Sequence, residues 1–316
     1  MDKNSDIYEK SFESGAFDQG LYIPLTDDLL FHMVFTKNEI ALRSLLSSLL
    51  NYQESDILQI DILNPMQYTE LHDMNLTILD LKLHLNGQKY VLVEMQVRKF
   101  QSWPERTLVY ACRQIAEQDK GYDFEYGNLQ QVIQIAIMDH TLFPDHKRFL
   151  SKYQLTDEEG YLYTDKLQFI IMDLTAIKDA SEEERELGLV EWANAFKAKN
   201  WETVNQINNA GVKEAMKTME VIMSTPTERQ LLLDRRKAEI DRRTLISEAK
   251  TLGRAEGRAE GRAEGRAEGR AEGQIIQAIK MYRVLVHYDD GQIINAIMSD
   301  FNLSRNDAEK YLSEFS

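Results

Sequence analysis

The sequence is short of cysteine, of long apolar runs and of positive charge: 316 residues hold one cysteine, and 37 Lys and Arg face 52 Asp and Glu for a net charge of -15. A lone Cys112 cannot close an internal disulfide or build a zinc site. Its neighbours Tyr110, Ala111 and Ile115 predict a core thiol with no redox role. Nowhere do eighteen apolar residues run together, so no membrane-spanning helix is expected. The start, Met1-Asp2-Lys3-Asn4-Ser5-Asp6, lacks the basic-then-apolar pattern of a secretory leader. A soluble, cytoplasmic protein with no membrane partner is expected. The acid excess argues against a broad attraction for phosphate backbones, whose affinity comes from clustered Lys and Arg. That excess is uneven, because residues 228–273 hold 12 basic and 10 acidic residues, leaving 25 and 42 elsewhere. Any contact with DNA must use local patches or a metal that offsets the acids.

What is present is a hydrophobic fraction of 43%, ordinary for a globular protein, and enough length for one large or two medium domains. Residues 1–23 are polar and irregular, and Pro24 opens the first structured stretch. Phe31 and Phe35 sit one helical turn apart, and Ile40, Leu42, Leu45, Leu46, Leu49 and Leu50 recur at helical spacing up to Asn51. Ile57 to Leu63 reads as a strand stopped by Asn64-Pro65. From Leu76 to Leu85, polar Asp80, Lys82 and His84 alternate with leucines, and Val91, Val93, Met95 and Val97 alternate with Glu94 and Gln96. Asn86-Gly87 between these strands is a strong hairpin signal. The two strands are therefore predicted to pair antiparallel, bringing Asp80 close to Glu94. Side chains alternate between faces along a strand, so Glu94 and Gln96 share one face. Two converging carboxylates repel unless a hard divalent cation holds them, and Mg²⁺, or Mn²⁺, is the natural occupant. Such an ion supplies what phosphodiester hydrolysis needs, a polarised phosphate oxygen and an acidified water. On spacing alone, an exposed hairpin face that merely carries charges fits equally well.

Glu105 to Lys120 reads as a helix, and Gln131 to Met138 and Lys166 to Leu174 as further strands. The order of elements predicts an α/β layer with a mixed sheet over residues 24–175, followed only by helices. Ser181 with Glu184 is a capping box, and Thr225, Pro226 and Glu228 open another helix. Residues 228–250 carry alternating charge that suits a solvated or helix-pairing face better than a reader of a DNA groove. From Gly253 to Gly273 the tetrapeptide Gly-Arg-Ala-Glu repeats five times and ends on a further glycine. As a helix it stacks like charges at i,i+4 and carries a glycine penalty of about 1 kcal/mol per repeat. A linker, or a helix formed only with a partner, is expected for 253–273, and residues 176–252 and 274–316 are expected as a helical region and a small helical tail.

Thr26-Asp27-Asp28-Leu29-Leu30-Phe31 through Phe35, then Leu79-Asp80-Leu81-Lys82, then Val93-Glu94-Met95-Gln96, resemble the Rpn family of recombination-promoting nucleases, also labelled transposases, of the PD-(D/E)XK superfamily. Glu228 through Ala249 and the charged glycine repeat resemble the C-terminal half of such proteins. The resemblance implies a PD-(D/E)XK-like mixed sheet flanked by helices and a Mg²⁺-dependent DNA endonuclease that promotes recombination. It assigns Asp80 and Glu94 to the metal, and Gln96 to the position usually held by lysine. Glutamine orients water but is no base near pH 7, so the metal's own water becomes the expected source of the base. Asp28 matches an acidic position that brings a third carboxylate to the metal, although capping a helix also favours it there. Arg106 and Tyr110 match positions that contact the scissile phosphate or brace the site. Two other readings stay open. One is a catalytically weak DNA- or partner-binding protein on a nuclease fold, assembling through its helical half. The other is self-association, as a homodimer or larger, through residues 228–273.

Overall fold

The computed structural model describes residues 21–63, 81–99, 102–119, 121 and 124–315. Helices α1 (Asp28–Lys37) and α2 (Glu39–Leu50) open the chain, with Asp27 capping the first through the Leu30 amide. Asn51 ends the second in a left-handed conformation, φ 58, a role its short polar side chain tolerates. Strands β1 (Ile60–Ile62), β2 (Leu81–Leu85) and β3 (Lys89–Gln96) follow. Next come α3 (Trp103–Ala116), β4 (Gln131–Met138), β5 (Leu150–Thr156) and β6 (Leu162–Asp173). The six strands form one sheet in the order β1-β2-β3-β4-β6-β5. β1, β2 and β3 pair antiparallel, β3, β4 and β6 run parallel, and β5 returns antiparallel on β6. The sheet is mixed, as its order of elements predicted.

The β2–β3 hairpin closes through Asn86, Gly87 and Gln88: the Gln88 amide donates to the Leu85 carbonyl at 3.0 Å, and the two central residues of that β-turn, Asn86 and Gly87, are both at positive φ (53 and 65), as a turn of this hand demands. Leu85 pairs with Lys89 and Leu81 with Val93. That register sends Leu81, Leu83, Leu85, Val91, Val93 and Met95 into the main core, with Ile133, Ile135, Ile137, Ile170 and Met172 beside them. Helices α1 and α2 cover this face together with α5 (Leu189–Lys197) and α7 (Ala210–Ser224). All seven residues from Leu29 to Phe35 are buried, so α1 is enclosed all round. The opposite face carries two small apolar clusters, Leu92, Ala111, Val132 and Leu167, and Trp103, Ala136, Met138 and Ile171. α3 covers it, because Trp103, Thr107, Ala111 and Gln114 fall at three- and four-residue spacing. The architecture is a three-layer α/β/α sandwich.

Some local expectations change. The strand read over 57–63 shrinks to Ile60–Ile62, because a short 3₁₀ turn, Glu54–Asp56, precedes it. The strand expected over Lys166–Leu174 is the inner part of β6, which begins at Leu162 with the exposed pair Leu162 and Tyr163, and its antiparallel partner β5 had no expectation in the sequence. Cys112 is exposed, not in the core. It follows Ala111, the buried residue of that turn, and one step of a helix turns a side chain by about 100°.

The rest of the chain is helical, through α4 (Glu182–Glu186), α6 (Trp201–Asn205), α8 (Pro226–Val284), α9 (Asp290–Phe301) and α10 (Arg305–Glu314). Ser181 and Glu184 form the capping box at α4. The chain divides into two compact units, one ending at Arg236 and the other spanning Lys237–Ser316. In the second, Ile275 and Ile279 of α8 pack with Ile293 and Ile297 of α9 and with Ala308 and Leu312 of α10. The Gly-Arg-Ala-Glu repeat lies within α8, and every residue from 240 to 274 is exposed. Among the described residues no helix is long and apolar enough to cross a membrane.

Candidate active site

Glu94 and Gln96 belong to β3, and register places Glu94 beside Ala136 and Gln96 beside Met138. Ala136 pairs in turn with Ile171, and Met138 with Asp173. Both side chains therefore face α3. They are not surface charges on an open hairpin: Glu94 is 4% exposed and Gln96 8%. The strand alternation read from sequence is present, but its polar face is covered.

Neither Glu94 carboxylate oxygen has a hydrogen-bond partner among the described residues. Among the described residues the ion-pair partner of Glu94 is Arg106 of α3, with Nη2 3.7 Å from Oε1. Burial raises the Glu94 pKa above the ordinary carboxylate value, and the Arg106 guanidinium opposes that rise. The Trp103 indole N–H, outside normal hydrogen-bond geometry, adds a smaller contribution in the same direction as Arg106. A buried acid with so little compensation is costly and belongs among the perturbed groups that cluster at functional sites. Arg106 also lies over the Tyr110 ring, 5.4 Å from its centroid, a cation–π contact that aims the guanidinium. One turn of helix separates the two residues, which is why a single helix presents both to the sheet.

Gln96 Nε2 donates to the Arg98 carbonyl at 2.6 Å, so its amide is already oriented. Asp28 lies at the first position of α1, beside the capping residue Asp27. One Asp28 oxygen accepts from the Leu29 amide at 2.9 Å and the other meets Arg235 at 3.0 Å. Asp27 accepts from the Leu30 amide at 3.1 Å. Burial first, and the charge of Asp28 second, push its pKa up to about 6 against the Leu30 amide hydrogen bond and the charges of Arg236 and Arg235. Asp80 lies outside the described residues. It precedes Leu81, whose partner Val93 is the neighbour of Glu94. Among the described residues no three His, Cys, Asp or Glu side chains cluster as a metal site. The carboxylate at Glu94 still fits a hard cation, since its buried oxygens are of the right chemistry and accept no hydrogen bond among the described residues.

Over residues 25–249 the chain matches the model of the PD-(D/E)XK nuclease family transposases. It belongs to that family. No curated protein and no solved structure matches it. Membership fits the mixed sheet, the flanking helices and the helical C-terminal region, and it makes the fold nuclease-like. Sequence reading missed other polar groups on this face. Gln134 is 1% exposed and neither polar atom of its side chain has a partner among the described residues. The signal was a lone polar residue inside the run Val132-Ile133-Gln134-Ile135-Ala136-Ile137. Asp173 ends β6 buried, accepting from the Thr175 amide at 2.7 Å and its hydroxyl at 2.6 Å.

Proposed function

We propose that the protein is a metal-dependent DNA endonuclease that hydrolyses phosphodiester bonds and so promotes recombination. The observation that carries this reading is the Glu94 carboxylate, buried beneath α3 with both oxygens free of hydrogen bonds among the described residues. Family membership supports a nuclease and hence DNA as substrate. Asp80 and Glu94 would hold Mg²⁺, with Mn²⁺ as a substitute, and Asp28 would add a third carboxylate if it exchanged its contact with Arg235. The ion, when bound, would polarise a phosphate oxygen and acidify a water.

The chain's own groups do the rest. Arg106 draws the scissile phosphate toward Glu94 and neutralises charge that develops on it, and Tyr110 keeps the guanidinium in line. Gln96, its NH₂ held by the Arg98 carbonyl, offers its carbonyl oxygen to orient a water. Trp103 and the apolar clusters on either side exclude bulk solvent, which strengthens these interactions.

A second reading keeps the fold and discards strong catalysis: a DNA- or partner-binding protein that assembles through its helical half. It draws on Gln96 in place of a lysine and on the long exposed stretch from 240 to 274, a surface suited to homodimer formation through residues 228–273. Plasmid nicking with Mg²⁺, Mn²⁺ or EDTA separates the two, run on the native protein, Asp80→Ala and Glu94→Gln. Metal-dependent nicking lost in both variants supports the endonuclease. DNA binding without nicking, unchanged by either substitution, rejects it in favour of the second reading.

A further inference from the structure

We propose that His140 is the proton acceptor of the hydrolysis, supplying the base that Gln96 cannot. This rests on the nuclease reading above and goes beyond it by assigning a residue that neither strand spacing nor the family resemblance singles out.

The placement comes from topology. β3, β4 and β6 run parallel, so their carboxyl ends share one edge of the sheet, the edge at which open α/β sheets bind ligands. Gln96, Met138 and Asp173 lie in one register row at that edge. The Asp139 amide donates to the Gln96 carbonyl at 3.0 Å, and the Leu174 amide to the Met138 carbonyl at 2.8 Å. His140 is therefore the second residue past the end of β4, one residue beyond a direct backbone link to Gln96. Both of its ring nitrogens are enclosed, and neither has a hydrogen-bond partner among the described residues. Buried polar atoms are normally paired, so an imidazole with two open nitrogens at a ligand-binding edge is matched to a group that arrives with the substrate.

Electrostatics agree with the role. The charged groups that act on His140 are Lys99 after β3, Asp173 at the end of β6, and its neighbour Asp139, which is itself paired with Lys197 at 2.6 Å. Burial first and Lys99 second hold the imidazole below its usual pKa, while Asp173 and Asp139 oppose them. The ring is thus neutral at pH 7 and has a lone pair to give. Asp173, with one oxygen fixed by Thr175, is the carboxylate that would stabilise the imidazolium once formed. In the step itself the attacking water forms a bond to phosphorus and its O–H bond breaks, the proton passing to an imidazole nitrogen of His140. The phosphorus bond to the leaving oxygen breaks, that oxygen keeps the electron pair and takes a proton from solvent, and His140 returns its own proton to solvent.

The test uses the full-length chain. Single-turnover plasmid nicking from pH 5.5 to 9 is compared for the native protein, His140→Asn, His140→Gln and Glu94→Gln. DNA affinity in Ca²⁺, the Mg²⁺-induced rise in Tm and an NMR titration of the His140 ring are measured alongside. Removing a positioned base costs about 10²–10⁴-fold in rate. Both His140 variants should lose that much near pH 7 and lose the acidic limb of the profile, with DNA affinity and the Mg²⁺ response unchanged. The His140 ring should titrate below an ordinary histidine and move when Asp173→Asn is introduced. A His140 variant that nicks at the native rate with the native limb, while Glu94→Gln is inactive, overturns this proposal and leaves the nuclease reading standing. So does a loss of DNA or Mg²⁺ binding that matches the loss of rate in both variants. A native protein no more active than Glu94→Gln overturns the nuclease reading and this proposal with it.

Discussion

Replacing Glu94 with glutamine should stabilise the metal-free protein while destroying its activity. In the wild type a carboxylate is 4% exposed, and among the described residues it lacks hydrogen bonds and has its ion-pair partner at 3.7 Å. Its pKa remains raised with Arg106 in place, so the cost of desolvation exceeds the attraction, and a neutral side chain of the same shape is preferred. Leaving a charged group unsatisfied costs more than the approximately 1–3 kcal/mol of a neutral one, which puts the expected gain at about 1–2 kcal/mol near pH 8. The sign with pH follows from the direction of the shift. A carboxyl whose folded pKa lies above its unfolded value contributes stability that is present below the unfolded value and lost as pH rises through the folded one. The advantage of Glu94→Gln should therefore be largest at pH 8 and shrink toward pH 4. Urea unfolding in EDTA at several pH values measures it. Adding Mg²⁺ to a hundred times its Kd should return about 2.7 kcal/mol to the wild type and little to the variant. A Glu94→Gln protein less stable than wild type in EDTA at pH 8, by an amount independent of pH, would refute the reasoning and make Glu94 a structural partner of Arg106.

Other outcomes follow from the same geometry. Arg106→Met removes the only cation paired with Glu94 among the described residues; discounted for its exposure, the loss should be about 1–2 kcal/mol by urea unfolding, and nicking should fall sharply. Asp27→Asn keeps the cap on the Leu30 amide but removes a carboxyl raised to about 6 from 3.8, a shift worth at most about 3 kcal/mol. The wild type should lose this stability as pH rises from 4 to 6, and the variant should not; melts in EDTA across that range test it. Gly211→Ala drives a methyl to 2.1 Å from Ser44 Oγ and 3.0 Å from the Trp192 ring, so it should cost about 1–3 kcal/mol and be rescued by Ser44→Gly. Gly261→Ala meets nothing within 4 Å, so the same change there should add about 1 kcal/mol to the helix, read by circular dichroism.

Periodicity and turn chemistry were legible along the chain. Asn86-Gly87 set the hairpin because that turn needs positive φ at both residues, and β4 ran over Gln131–Met138 as its apolar run indicated. The spacing of Glu94 and Gln96 fixed that they share a face. What α3 does to that face was not legible. Whether Glu94 is a solvated charge or a buried acid depends on Trp103, Thr107 and Arg106 arriving from a separate helix. Likewise His140 gained meaning only when three parallel strands brought Gln96, Met138 and Asp173 into one row. Cys112 shows the same limit in reverse, since apolar neighbours in sequence do not say which side of a helix is covered. Local preferences act within a few residues and are written in the chain, whereas burial, and the pKa values that follow from it, belong to contacts between segments far apart in it.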